Sequence, residues 1–289
     1  MRARCFLEAV VRRTLVGTTV LLSAGIAHHA RGQTPSPLQE WQYPGGIILQ
    51  KEFEPTVPEW RIVLGAAAAG RPLYDGARPY RVQPGPVIDI RYRDVAFASV
   101  GEGLGANILR GENYRAGIAL GYDLGRRVSE YPSHLHGLGD ISVAPAVKLF
   151  ASYVVSKSFP LVLRADIRRI AGGADGWVGD FGTYLPLPGS SKKFVMFAGP
   201  SLTFADGGYM QHVFGVSPTQ AARSGYPGFK AHGGMKAAGF GFSSTWFLSE
   251  HWLANGDAAV SRLLASAAGS PITERRTQGV LTLAVAYTF

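Results

Sequence analysis

The chain ends on Gly279-Val280-Leu281-Thr282-Leu283-Ala284-Val285-Ala286-Tyr287-Thr288-Phe289, and this stretch decides the fold. Large apolar side chains occupy every second position from Leu281 to Phe289, and smaller side chains stand between them. Alternation with period two is the pattern of a β-strand whose two faces meet different surroundings. An apolar face that ends on an aromatic carboxy-terminus is typical of the closing strand of an outer-membrane β-barrel.

The composition of the chain agrees with a barrel in a membrane. Apolar residues make up 46% of the chain and charged residues only 17%, below the roughly 25% of charged residues in soluble domains. After residue 32 no stretch approaches about 18 uninterrupted apolar residues, which disfavours helical membrane spans. The other structure that satisfies every backbone amide in hydrocarbon is a closed barrel. The sequence therefore predicts an all-β fold, a transmembrane antiparallel β-barrel of outer-membrane type.

Residues 1–32 predict a cleaved signal peptide. An apolar region of signal length, residues 14–27, follows a basic amino-terminal region. The basic residues of that region are Arg2, Arg4, Arg12 and Arg13. Cleavage after Gly32 is favoured, and sites after Ala27 or Ala30 stay open. The predicted location is the outer membrane of a Gram-negative cell.

Much of the positive charge of the chain lies in that signal. The full chain carries a formal charge of +9, and loss of five Arg and one Glu with residues 1–32 leaves about +5. Nucleic-acid binding therefore loses its main support. The single cysteine, Cys5, precedes the apolar region, and a mature chain without cysteine is compatible with export through an oxidising compartment.

The rest of the chain divides into a short leader and one domain. Residues 33–58 are rich in proline and predict a periplasmic leader segment, and residues 59–289 predict the barrel. Twelve strands are expected near 60–68, 84–93, 95–101, 104–109, 114–124, 139–153, 158–169, 176–186, 192–204, 231–247, 251–262 and 278–289. A barrel with both chain ends in the periplasm needs an even number of strands, with short turns inside and long loops outside. With twelve strands, the long connections 69–83, 125–138, 205–230 and 263–277 all fall on the outer side.

Charged residues recur on the face of the strands that is predicted to line the lumen. These residues are Arg61, Asp89, Arg91, Arg93, Arg115, Lys148, Arg164, Asp166, Arg168, Asp180 and Lys236. Eight are basic and three are acidic, so they could line a channel that favours anions. They could equally pair into a network that fills the lumen, because twelve strands lie between filled and open barrels in size.

One loop cluster has residue types that perform chemistry. His134, His136 and Asp140 could share a metal ion or act as an acid/base pair. Spacing specifies no third ligand, so polar loop residues near the barrel rim are the favoured interpretation, and no metal, cofactor or catalytic residue is expected. A serine of the barrel acting as a nucleophile is a third hypothesis, and no motif fixes it.

Several motifs, in order, resemble the MltA-interacting protein/OmpV family of outer-membrane proteins. They include Gly70-Arg71-Pro72-Leu73-Tyr74-Asp75-Gly76, Leu135-His136-Gly137-Leu138-Gly139-Asp140-Ile141, Phe214-Gly215-Val216-Ser217 and the terminal Tyr287-Thr288-Phe289. The resemblance runs from about residue 58 to the end of the chain. It implies a non-enzymatic barrel that scaffolds a lytic transglycosylase and a penicillin-binding protein in the cell envelope.

Three functions remain to be compared, the first from the resemblance and the other two from the lumen charges and the serines. An envelope scaffold linked to murein-synthesising and murein-degrading enzymes is the first. A narrow channel that favours anions is the alternative, and an outer-membrane hydrolase is third. The expected partners are outer-membrane lipid and the barrel-assembly machinery, with Tyr287 and Phe289 as the barrel-assembly signal.

Overall fold

The computed structural model describes residues 58–155 and 161–289. The predicted signal peptide and most of the leader lie outside the described residues. Among the described residues, no helix is long and apolar enough to span a membrane.

Twelve antiparallel strands form a closed barrel, so the predicted fold class and strand number are confirmed. The strands are β1 (Trp60–Pro72), β2 (Tyr80–Tyr92), β3 (Ala96–Ser99), β4 (Gly103–Arg110), β5 (Tyr114–Asp123), β6 (Ala144–Val154), β7 (Val162–Ile170), β8 (Gly176–Pro186), β9 (Phe194–Ala205), β10 (Gly234–Phe247), β11 (Trp252–Leu263) and β12 (Thr277–Thr288). Each strand pairs with its neighbours in sequence, and β12 returns to pair with β1. Closure leaves no terminal strand at a free sheet edge.

The carboxy-terminal strand completes this closure through the alternation from which it was recognised. Leu64 of β1 stands opposite Tyr287, and Ala66 stands opposite Val285. Beyond the paired residues, the Phe289 backbone N–H donates to the Ile62 carbonyl at 3.0 Å. The last residue of the chain therefore takes part in the seam between the first and last strands.

The outer surface of the barrel is apolar. Exposed large apolar side chains on the strands include Leu64, Val82, Ile88, Leu104, Ile118, Leu120, Val147, Leu149, Ile167, Phe181, Phe240, Val260, Leu281, Leu283 and Val285. Aromatic side chains near the strand ends are exposed as well, among them Trp60, Tyr122, Tyr153, Trp177, Trp246 and Trp252. A closed barrel with an apolar outside and aromatic girdles has the surface of an outer-membrane barrel.

The two ends of the barrel differ in their connections. The long connections 73–79, 124–143, 206–233 and 264–276 lie together at one end, which we call the outer end. They carry a short 3-10 helix (Val128–Glu130) and four α-helices: α1 (Pro132–Leu135), α2 (Gly207–Phe214), α3 (Pro218–Ser224) and α4 (Ala265–Gly269). The chain enters β1 and leaves β12 at the opposite, inner end, where the turns are shorter, as expected for the periplasmic side.

Several strand boundaries differ from the sequence prediction, and for two of them the structure gives a physical reason. β6 was expected from residue 139 but begins at Ala144, because Ile141 makes only an isolated bridge to Arg126 within the outer-end loops. β2 was expected from residue 84 but begins at Tyr80 and contains both Pro84 and Pro86. Proline is tolerated in a strand where its nitrogen faces no partner, a condition that β2 meets, as described below.

Candidate functional site

The outer end of the barrel is closed by a packed cap. Helix α2 places Tyr209, Met210, Val213 and Phe214 among buried side chains of β6, β7, β8, β10 and β11. A second buried cluster joins the four long connections through Tyr74, Leu135, Val216 and Ile272. Burial of so many large apolar side chains stabilises the cap against opening. We use the name outer cap for these connections and their helices.

The local sequence explains where the cap helices begin. The Asp206 side chain accepts the Tyr209 backbone N–H at 2.8 Å, which caps the first turn of α2. Ser217 and Gln220 form a reciprocal capping box at the start of α3, and Gly225 ends that helix in the left-handed conformation. These devices satisfy backbone groups that a helix end would otherwise leave without partners.

A buried ion pair anchors the cap to the wall. Lys236 is the extra residue of an irregularity in the pairing of β10 with β9, between Met235 and Ala237, and its side chain is fully buried. Its Nζ lies 2.5 Å from Asp75 Oδ2 and donates to the Tyr209 hydroxyl at 3.3 Å. A β-bulge re-aims a side chain in this way. One ammonium thereby joins the wall, the β1–β2 connection and helix α2.

Burial changes the titration of the cap groups around this lysine. Burial raises the pKa of the Asp75 carboxyl, and the Lys236 ammonium opposes that shift. Burial also raises the pKa of the Tyr209 hydroxyl to about 12. The Tyr209 hydroxyl is therefore neutral near pH 7 and can accept a hydrogen bond from Lys236.

Arg126 is a second buried cation of the cap. Its Nη1 donates to the Val213 carbonyl at 3.1 Å, and its guanidinium lies 5.6 Å from the centre of the Tyr74 ring. Burial lowers the pKa of Arg126 to about 10, so the guanidinium stays charged at pH 7. It ties helix α2 to the connection between β5 and β6.

The structure does not bring the predicted histidine cluster together as a metal site. His134 Nε2 lies 3.0 Å from the Ile272 carbonyl oxygen, and the Tyr226 hydroxyl lies 2.8 Å from His134 Nδ1. Asp140 instead accepts the Val128 backbone N–H at 2.7 Å, and His136 is exposed. Across residues 58–155 and 161–289, no three His, Cys, Asp or Glu side chains are placed to hold a metal ion.

In the inner half of the barrel, charged side chains form ion pairs inside the lumen. Glu102, in the turn between β3 and β4, pairs with Arg91 and with Arg164, the latter at 3.2 Å. Arg91 Nε also donates to Asp89 at 2.9 Å. These side chains are between 7% and 14% exposed. Two guanidinium groups from opposite parts of the wall therefore share one carboxylate.

A neighbouring group of ion pairs occupies the lumen beside β7 and β8. Arg168 Nη1 lies 2.7 Å from Asp180 Oδ2 and 3.1 Å from Asp166 Oδ1. Thr203 donates its hydroxyl to the other oxygen of Asp180 at 2.5 Å. Four protein groups on three strands thus satisfy one another, which is the condition for a stable buried network.

The other predicted lumen charges have different positions. Arg115 pairs with Asp94, and Arg61 lines a small cavity that Arg91 and Arg115 also line. Lys148 lies 5.8 Å from the centre of the Phe150 ring. Arg93 is the exception, because it occupies the β2–β3 turn, where its side chain is 59% exposed and pairs with Glu59. Strand alternation stops at that turn, so Arg93 does not belong to the lumen group.

Sequence reasoning missed the acidic partners of these cations. Asp75, Asp94 and Glu102 all lie in connections, where strand alternation makes no prediction. One local signal was available for Asp94, which has φ +53° beside Arg93 at φ +46° in the three-residue turn between β2 and β3. Aspartate tolerates this conformation well, and here it directs a carboxylate towards Arg115.

A polar row on the opposite side of the lumen was also missed. Ser243, Asp257 and Thr282 stand side by side on β10, β11 and β12, each at most 1% exposed. Among the described residues Asp257 has no cationic partner, and the Ser243 and Asn255 side chains are its polar neighbours. This part of the wall is lined by buried oxygen acceptors rather than by ion pairs.

Comparison with known proteins gives one family. The family model described as MltA-interacting protein MipA matches residues 64–289. No curated protein matches the chain.

Solved structures give only distant likenesses. The chain is similar to the Pseudomonas putida toluene transporter TodX, with 10% identity and a TM-score of 0.38 over 90% of this chain and 95% of that one. It is similar to the Ralstonia pickettii toluene transporter TbuX, with 10% identity and a TM-score of 0.36 over 90% and 95%. It is also similar to the translocator domain of autotransporter NalP from Neisseria meningitidis, with 14% identity and a TM-score of 0.33 over 84% and 93%. Values this low say nothing about ligand or activity.

Proposed function

Because the chain belongs to the family of MltA-interacting protein MipA, we propose that it is an outer-membrane scaffold for murein enzymes. In this proposal the barrel binds a lytic transglycosylase, and through it a penicillin-binding protein. The observation that carries the proposal is the filled barrel. The outer cap occupies one end, and buried ion pairs occupy the lumen behind it. A cap at one end and ion pairs across the lumen favour a role for the barrel surface over passage through the barrel.

The inner end is the surface that we assign to the partner. Murein enzymes work in the periplasm. The inner end carries the short turns, the start of β1 and the end of β12. Its exposed cations include Lys192 and Lys193 in the β8–β9 turn. Cations on a docking surface raise the rate of association with an acidic partner.

Co-purification of the partner tests the scaffold. The full chain, extracted from envelopes after crosslinking, should recover a lytic transglycosylase. Reversing both charges with Lys192→Glu and Lys193→Glu should lower that recovery several-fold, because long-range attraction becomes repulsion. Arg223→Glu is the matched control, since Arg223 is exposed at the outer end. Recovery of no murein enzyme by an intact barrel would contradict the proposal.

The channel alternative makes the opposite prediction in a planar bilayer. The predicted anion preference rested on an excess of eight cations over three anions, whereas Arg91, Arg115, Arg164 and Arg168 have carboxylate partners in the structure. We therefore expect no discrete conductance steps from the purified full chain, with a general porin in the same bilayer as the positive control. Reproducible steps that favour anions would replace the scaffold with the channel.

The hydrolase alternative finds no support in the serine contacts. Ser224 donates its hydroxyl to the Gln220 carbonyl, and Ser244 donates to the Gly256 carbonyl. A serine nucleophile instead needs a base that takes its proton.

We further propose that Tyr287 and Phe289 form the signal read by the barrel-assembly machinery, since their rings pack together at 4.8 Å and Phe289 is exposed.

A further inference from the structure

The barrel wall has a gap in its outer half, between β2 and β5. β3 is only four residues long and pairs with β2 from Asp89 to Tyr92. Residues 80–87 of β2 therefore have a strand partner on one side only, which is β1. On the other margin, β5 pairs with β4 no further than Leu120. Two strand positions, about 10 Å of wall, are missing above the β3–β4 turn. We call this place the wall gap.

The sequence of β2 is adapted to a free edge at this place. The Ile88 carbonyl accepts the Val100 N–H at 3.1 Å, so the backbone groups of Ile88 face β3. Backbone direction alternates along an antiparallel strand, so Pro84 and Pro86 present their nitrogens to the same side, into the wall gap. Proline has no N–H to satisfy there. A free edge with few donors resists addition of another strand.

Two glycines on the facing margins border open space. A Cβ built on Gly85 of β2 or on Gly121 of β5 would meet no atom within 4 Å. Both positions alternate with outward-facing neighbours, because Pro84, Pro86, Leu120 and Tyr122 are exposed. The two glycines therefore face the lumen. No atom of residues 58–155 or 161–289 fills the space beside them.

The rims of the wall gap are apolar, and a polar cavity lies behind it. Val82 is 75% exposed and Leu104 is 63% exposed, and both rims are formed by side chains of this kind. Behind the β3–β4 turn and the outer end of β5 lies a cavity of about 70 Å³, with Lys148, Arg168 and Glu102 in its lining. A cavity of this size has room for a carboxylate or a few water molecules.

Lys148 is the cation that this cavity leaves available. Arg168 and Glu102 are engaged in the ion pairs described above, and the Asp123 carboxylate accepts the Gly125 N–H at 2.9 Å. Among the described residues the Lys148 ammonium has no direct hydrogen bond or ion pair. It lies 5.8 Å from the centre of the Phe150 ring, and its charge acts on the Glu102 carboxylate from beyond ion-pair distance. An ammonium of this kind in a polar cavity is a site for an anionic group.

We propose that an amphiphile with one acyl chain and an anionic head group enters the barrel through the wall gap. Its head group pairs with Lys148 in the cavity, and its chain lies between the apolar rims, continuous with the hydrocarbon of the bilayer. In this proposal water on the lumen side hydrates the free backbone carbonyls of β2, which is one of the arrangements in which unpaired backbone is tolerated at membrane depth. The site is independent of any murein partner.

Photolabelling of the full chain in lipid nanodiscs tests this site. The probe is palmitate carrying a diazirine beside its carboxylate, and hexadecanol with the same diazirine is the neutral comparison. Palmitate should label peptides containing residues 100–103 and 121–124, and hexadecanol should label them much less. Lys148→Gln should lower palmitate labelling about tenfold, the loss expected for one charge-assisted hydrogen bond.

Steric variants test the route itself. Gly121→Trp should fill the space beside the cavity and abolish labelling with palmitate. Gly179→Leu is the control, since that glycine lies on β8 and has room for a Cβ at ordinary contact distance. The mobility of each variant on an unheated gel reports whether it folds. If Gly121→Trp fails to fold, Lys148→Gln still tests the site by itself. Equal labelling by both probes, labelling spread around the whole barrel, or a protein strand crosslinked to β2 would overturn the proposal.

Discussion

Lys236→Met should lower the free energy of unfolding of the barrel by about 3–5 kcal/mol, the cost of removing one partner from a buried ion pair. The substitution leaves Asp75 fully enclosed without its cation, and it removes the hydrogen bond to Tyr209. Urea unfolding in lipid vesicles, followed by tryptophan fluorescence, measures the change. The double variant Lys236→Met with Asp75→Leu should recover most of the loss, because an apolar pair needs no compensating charge.

The control for this prediction is Lys230→Met. Lys230 lies in the connection 206–233, six positions before Lys236, but is exposed, so its replacement should change stability by less than about 0.5 kcal/mol. If Lys236→Met and Lys230→Met behave alike, the buried pair does not anchor the outer cap. If the double variant is as unstable as the single one, the cost lies in packing and not in charge.

Much of the barrel could be predicted because lipid imposes one simple pattern on strands. Leu281, Leu283 and Val285 must all face hydrocarbon, and this requirement writes period two into the sequence. Strand number then follows from counting such segments. The alternation was least informative where proline interrupts it, as at Pro84 and Pro86. Both prolines fit into β2 because this part of the strand pairs with β1 on one side and with no described strand on the other.

The candidate site was harder to predict because it is built from connections. Helix α2 packs inside the outer end, and its partners Ala144, Val178 and Leu263 come from three different strands. No local pattern shows which loop will turn inward. Lys236 was recognised as an inward charge, but its partner Asp75 lies 161 positions earlier in the chain, and only the closed barrel brings them together.

The same limit applies to charge counting in the lumen. Counting strand residues gave eight cations and three anions, which favoured an anion channel. The turns supply further carboxylates, Asp94 and Glu102, at the depth of Arg91, Arg115 and Arg164. Their presence changes an excess of cations into a paired network. The electrostatics of a barrel lumen therefore depend on its short turns as much as on its strands.

Glu102→Ala should be the most costly single change in that network, lowering the free energy of unfolding by about 3–5 kcal/mol. It leaves the Arg91 guanidinium with Asp89 alone and removes a carboxylate from Arg164. Glu59→Ala is the matched control, because Glu59 also pairs with an arginine, Arg93, but both side chains are nearly 60% exposed.

An exposed pair of this kind contributes about 0–1 kcal/mol. Glu102→Ala should therefore lower the free energy of unfolding several-fold more than Glu59→Ala does, when urea unfolding is measured under the same conditions. Added salt should reduce the small effect of Glu59→Ala and leave that of Glu102→Ala nearly unchanged, because ions screen surface charges far more than buried ones. Equal and salt-sensitive losses in both variants would mean that bulk solvent reaches the centre of the lumen. The barrel would then be open behind its cap, and the scaffold would lose the observation that carries it.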